Sequence, residues 1–191
     1  MSTLLNSLAS WTRLEVAPSR TARRVIGVAV FAVATAISAK IAVPLPGTPV
    51  PFTFQPLIVL LSGALLGARL GAASQLTYLA AGAIGLPVFA AGGGLLYLLG
   101  PTGGYLMAGP LAAFVAGKLM GTSALRTLGA LLAGLAVIYA GGVAWLATVA
   151  DFNVAIALGL TPFVLADLVK VVLAAVITLR VRKRALGLFQ G

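Results

Sequence analysis

The sequence predicts an all-α integral membrane protein of six transmembrane helices with irregular outer loops. Three observations carry that class. Of 191 residues, 61% are hydrophobic and 8% charged, and mean hydropathy is +1.12, too little polar surface for a soluble domain to cover its own core. Hydrophobic runs of helical composition fall near 25–43, 55–67, 70–86, 104–123, 127–149 and 161–180, and a span needs about 20 apolar residues. The runs are continuous, rich in Ala, Leu, Val and Gly, and lack the two-residue alternation of a strand barrel.

Each run is placed by its flanking charges. Arg13, Arg20, Arg23 and Arg24 precede the first run, and Arg69 lies between the second and third. Lys118 and Arg126 flank the joint between the fourth and fifth, and Arg180, Arg182, Lys183 and Arg184 follow the sixth. With the N-terminus in the cytoplasm all of these fall inside, and the outer connections near 43–54, 86–104 and 150–160 hold no Lys or Arg. Six spans with both termini cytoplasmic satisfy the positive-inside rule. The net charge of +10 therefore reads as topology signals beside a lipid bilayer, not as a nucleic-acid surface. The expected organisation is a cytoplasmic or interfacial segment over 1–24, with Trp11 near headgroups, a substrate-binding bundle over 25–184, and a cytoplasmic tail over 185–191. A competing reading takes the first run, with its "ATAISA", as a cleaved signal, which would leave five spans and a shortened bundle. The second run is short and is expected to be tilted, broken or extended by its neighbours.

Composition also excludes chemistries. There is no Cys and no His, so no thiol chemistry, no Ser–His dyad, and neither the commonest metal ligand nor the commonest general base. The aspartates are Asp151, in an outer connection, and Asp167, whereas a two-aspartate protease needs both at one depth. No P-loop motif is present, so the chain cannot bind ATP that way. No enzyme, catalytic residue, metal or cofactor is expected.

Small residues recur at helical spacing. Gly63, Gly67 and Gly71, and Gly117 with Gly121, let helices approach closely inside the bundle. Ala32 and Ala36 form an A-x-x-x-A pair in the first run, open to two readings: internal packing, or a docking face for a separate membrane partner. The outer connections are unusually apolar. "VPLPGTPVPFTFQ", 43–55, holds four prolines and cannot be a helix. "GLPVFAAGGGLLYLLGPTGG", 85–104, mixes aromatics with glycines and prolines. Irregular backbone at membrane depth needs protein or a cavity beside it, so these segments are expected to be lids over a small, partly apolar ligand. The competing reading is two loops packed on each other to shield helix ends.

The sixth run holds Asp167 and Lys170, three residues apart on one helical face. Ionisable residues in a span are functional-site candidates, and this pair offers carboxylate acceptors and ammonium donors, suited to an amide, urea or lactam, or to a carboxylate at the lysine. A helix starting near Thr161 would place them roughly 9 Å and 13 Å below the outer surface. A salt bridge with a purely structural role is the alternative, a weak source of stability when buried. Gln55, Gln75 and Tyr78 are the next polar groups able to reach such a cavity, and Phe52, Thr53, Phe89 and Tyr97 are the lid candidates.

The strings "GARLGAASQLTYLAAGAIGLPVFA" and "GPTGGYLMAGPLAAFVAGKLMG", then "ADLVK", resemble the BioY family, the biotin-specific substrate-binding (S) components of energy-coupling factor transporters. The resemblance is sustained from about residue 50 to 121 and resumes at 166–170. It implies six helices in a prokaryotic cytoplasmic membrane and biotin bound near the outer surface as the ligand. It also implies a transmembrane energy-coupling (T) protein with ATPase subunits as partners, docking on Ala32 and Ala36. Asp167 and Lys170 match the family's D-x-x-K, which contributes to the biotin site. A stand-alone ion-coupled secondary carrier is the alternative function. Carriers often show repeated halves, and no convincing repeat is visible.

Overall fold

The computed structural model describes residues 19–190. Trp11, Arg13 and the rest of the proposed interfacial segment before Ser19 lie outside the described residues. Among the described residues, six helices of 12 residues or more fall on the six hydrophobic runs. α1 (Arg20–Lys40) begins at Ser19, whose hydroxyl accepts from the Ala22 N–H at 3.1 Å, a standard N-cap. Strands β1 (Ala42–Val43) and β2 (Phe52–Thr53) then pair antiparallel, Ala42 opposite Thr53 and Val43 opposite Phe52. α2 (Gln55–Leu66) carries Pro56 in its first turn, where the missing N–H costs nothing. α3 (Ala68–Ala83) follows across Gly67 alone. α4 (Leu95–Leu98), α5 (Gly103–Leu119), α6 (Ala124–Leu146), α7 (Phe152–Gly159) and α8 (Val164–Gln190) complete the chain.

α2 sits in the middle, packed on α1, α3, α5, α6 and α8. Its residues from Val59 to Leu66 are all buried, which explains a run that is apolar on every face. Gly67, with φ of 83°, turns the chain in one residue, a conformation that favours glycine. Of the repeated glycines, Gly63, Gly71 and Gly117 are internal packing, whereas Gly121 lies beyond α5 against the Arg126 side chain. A Cβ at Gly71 would stand 2.6 Å from the Gly63 Cα, and one at Gly117 2.6 Å from both the Gly63 carbonyl oxygen and the Ala68 nitrogen. α2, α3 and α5 thus meet backbone to backbone, as small residues permit in lipid.

Among the described residues, α1 and α6 are each long and apolar enough to cross a membrane, and α7 with α8 qualify together as a pair bent by 53°. α2, at 12 residues, is an apolar but shorter helix. Large apolar side chains stand exposed along α1 (Val25, Val30, Val33, Ile37) and α8 (Leu165, Val169, Val172, Leu173), the outer surface of a chain solvated by lipid.

The outer connections are more ordered than an all-α reading with irregular loops allows. The first is a β-hairpin, the second holds α4 and a Phe89–Gly92 bridge, and the third is largely α7, capped by the Asp151 carboxylate accepting from the Asn153 N–H at 2.8 Å. The last helix starts at Val164 rather than near Thr161: Thr161–Phe163 form a turn, with the Phe163 N–H donating to the Leu160 carbonyl at 3.0 Å. At its other end α8 runs on through the basic cluster, so residues 185–190 prolong its helix. There Arg182 Nε donates to the Ala64 carbonyl at 2.9 Å, satisfying a last-turn acceptor of α2, and Phe189 lies against Gly27 of α1. Lys40 stands apart from the other basic flanking residues, exposed in the last turn of α1 at the hairpin end.

Candidate functional site

A cavity of about 80 Å³ opens between the hairpin, the second outer connection and the first turns of α2, α5 and α8. Its wall includes Val50, Pro51, Thr53, Gln55, Tyr97, Thr102, Tyr105, Ile138, Tyr139, Phe163, Asp167 and Lys170. Asp167 and Lys170 are 5% and 3% exposed, so both charges are largely taken out of water and need partners.

They have them. Lys170 Nζ donates to Asp167 Oδ1 and to the Thr53 carbonyl, each at 2.6 Å. It also sits 3.8 Å from the centre of the Phe52 ring and 5.8 Å from that of Phe54, cation–π contacts strengthened by desolvation. Those two rings meet edge to face at 5.8 Å, which answers what the loop aromatics cover: the buried ammonium. Tyr139 OH donates to the other carboxylate oxygen, Asp167 Oδ2, at 2.6 Å. Asp167 lies in the first turn of α8, where the helix dipole favours a negative charge. The arrangement keeps capacity in reserve. An ammonium has three donors and a carboxylate about four acceptor positions, and two of each are used here. Together they present an acceptor beside a donor.

The scaffold around the cavity is tied loop to helix. Thr48 Oγ1 donates to the Leu158 carbonyl of α7 at 2.7 Å, Tyr105 OH to that of Gly159 at 2.7 Å, and Trp145 Nε1 to that of Gly100 at 2.9 Å. The ring of Tyr105 lies against Gly142, where a Cβ would overlap it.

Of the residues singled out from sequence, Asp167, Lys170, Thr53, Gln55 and Tyr97 line this cavity together, and Phe52 contacts the ammonium. Three others lie elsewhere. Gln75, 1% exposed, sits between α1, α2 and α3, its amide nitrogen 3.1 Å from Thr35 Oγ1, 3.1 Å from Ser62 Oγ and 3.3 Å from Ser74 Oγ. Tyr78 and Phe89 are buried in a cluster with Ala32, Ala39 and Leu106, the two rings edge to face at 5.5 Å. Phe89 reaches the cavity only through Tyr97, on which it stacks at 5.1 Å. Of the alanine pair, Ala32 is buried and Ala36, half-buried, packs against the same Tyr78–Phe89 cluster, while Val30, Val33 and Ile37 are exposed. The sequence reading missed Tyr139 and Tyr105. Tyr139 is the one tyrosine in the run 127–149, a lone phenol in an otherwise apolar stretch, and that was its available signal.

An apolar helical bundle with a cavity walled in part by two connecting segments, and a buried ion pair on that wall, has the features of a membrane protein with a solute site. The sequence pattern of the BioY family matches residues 8–186. A probable biotin transporter BioY of Pyrococcus horikoshii is 44% identical over 162 residues, covering 84% of this chain and 97% of that one. A biotin transporter BioY of Thermotoga maritima is 45% identical over 165 residues, covering 84% and 96%. Among solved structures, the S-component for biotin from an ECF-type ABC transporter superposes with a TM-score of 0.77 at 27% identity, covering 84% of this chain and 90% of that chain. The chain belongs to the BioY family.

Proposed function

We propose that this chain is the biotin-binding membrane subunit of a prokaryotic uptake system, spanning the cytoplasmic membrane six times with both termini inside, and working with a transmembrane energy-coupling protein and its ATPases. The carrying observation is the Asp167–Lys170 pair, buried at the cavity wall with donor and acceptor capacity left over. The ureido ring of biotin has N–H groups flanking a carbonyl. In the proposed pose Asp167 accepts from a ring N–H, Lys170 donates to the ring carbonyl, and the valerate chain runs outward past the lid residues. Tyr139 holds Asp167 from the far side. Gln75 is not carried into the site, because its amide already serves three hydroxyls.

Calorimetric titration of the purified chain with biotin tests the reading. Saturable binding is expected without any partner, whereas concentrative uptake is expected only after the energy-coupling proteins are added. Gradient-driven accumulation by the chain alone would instead identify a carrier. Orientation is read by single cysteines, since the chain has none. Asn153→Cys should be labelled from outside and Thr122→Cys spared, and the reverse pattern overturns the topology. For α1, Ala32→Trp combined with Ala36→Trp separates the two readings of the alanine pair. Loss of co-purification alone identifies docking, and loss of biotin binding identifies internal packing.

A further inference from the structure

A second, wider cavity of about 440 Å³ lies outside the first, between the hairpin loop and the α4 segment. Pro51, Tyr97 and Thr102 line both, so the outer space is a vestibule of the inner one. Its character differs. No charged residue lines it, and the wall is otherwise largely proline, with Leu96 and Ala91 exposed. Its other hydroxyl near the hairpin, that of Thr48, already donates to the Leu158 carbonyl. Lys40 lies four residues before Pro44 but is not part of the wall.

Resting on the biotin reading above, we propose that this site recognises its ligand by the ring end alone, and that its substrate class extends to biotin derivatives amidated at the carboxyl group. With the ring at Asp167 and Lys170, the acid end of the valerate chain enters the vestibule. A carboxylate there keeps its water and meets no cation, so ionisation gives it no advantage over a solvated amide. Discrimination against an analogue becomes large only when the site hydrogen-bonds the missing group and is left with an unpaired partner. Here the polar side chains on the wall are the neutral hydroxyls of Thr48, Tyr97 and Thr102, which can donate to an amide carbonyl as well as to a carboxylate. The widening from about 80 to about 440 Å³ also places the room for added bulk at the end where an amide substituent would extend.

The test is calorimetric titration of the purified full-length chain with three ligands: biotin, biotinamide and biocytin, the lysine amide. All three are expected to bind within about fivefold of one another, and Lys40→Met should leave biotin affinity unchanged. Ala91→Trp, which places an indole in the vestibule, should weaken biocytin at least tenfold more than it weakens biotin. Biotin binding with both amides weakened a hundredfold or more would overturn the inference and leave the biotin reading standing, because a cation would then be reading the acid. So would biotinamide matching biotin while biocytin fails, since the vestibule would be closed to bulk. Failure of biotin itself would remove the underlying reading and this inference with it.

Discussion

Two buried polar clusters occupy this apolar bundle, and they have different fates. Around Gln75, three hydroxyls from α1, α2 and α3 each donate to a carbonyl of their own helix, at 2.7 Å, and each accepts from the one amide. The cluster is neutral, and none of its members lines the main cavity. Around Lys170, the groups are charged, two hydrogen bonds come from elements far away in sequence, and every polar member borders a cavity. Burial of a polar side chain therefore does not mark a ligand site. Unused hydrogen-bonding capacity beside a cavity is the feature on which the proposed site rests.

That contrast can be broken by substitution. The largest effect is expected from Asp167→Asn and Lys170→Met. Each removes a charge-assisted bond contributing about 1.5–3 kcal/mol, so biotin affinity should fall roughly 10- to 100-fold while size-exclusion behaviour in detergent stays that of the parent. If both variants bind as the parent does, the pair is structural. Tyr139→Phe keeps the ring and deletes the donor to Asp167, and its affinity loss should be about tenfold. A loss of thermal stability without loss of affinity would show that Tyr139 serves the bundle alone. Gln55→Leu tests a neutral group on the cavity wall. A neutral hydrogen bond contributes about 0.5–1.5 kcal/mol, giving about a 2- to 10-fold weakening. The smallest effect on binding belongs to Gln75→Leu. Titration should give affinity within about twofold of the parent, while unfolding shifts by a few degrees, since interhelical hydrogen bonds in membranes average about 0.6 kcal/mol each. A large affinity loss there would erase the distinction between the clusters.

Much of the fold was legible because lipid solvation writes each long helix as an apolar run, and the helices lie on those runs. The short elements were not. Two-residue strands and the four-residue α4 arise from pairing and packing across the chain, which no local pattern records. Asp167 and Lys170 could be read directly, since charge in an apolar run is conspicuous and their spacing fixes a shared face. Gln55 and Gln75 looked alike for the opposite reason: each is one amide in an apolar context, and sequence does not say which neighbour its face meets. The same limit applies to Ala32 and Ala36. α1 carries small residues around much of its circumference, and only the position of Tyr78 and Phe89 shows which side turns inward.

The bond from Lys170 to the Thr53 carbonyl has a consequence for the outer hairpin. Two strands of two residues each have too little ladder to hold themselves in place. Part of what fixes the hairpin is thus a cation on a helix more than a hundred residues further along. Any ligand group that draws on this ammonium acts on the same equilibrium as the backbone of Phe52 and Thr53, and by linkage the influence is mutual. If the ligand draws on Lys170 as proposed, amide exchange across Ala42–Val43 and Phe52–Thr53 is expected to change when biotin is added, and unchanged exchange would count against that contact.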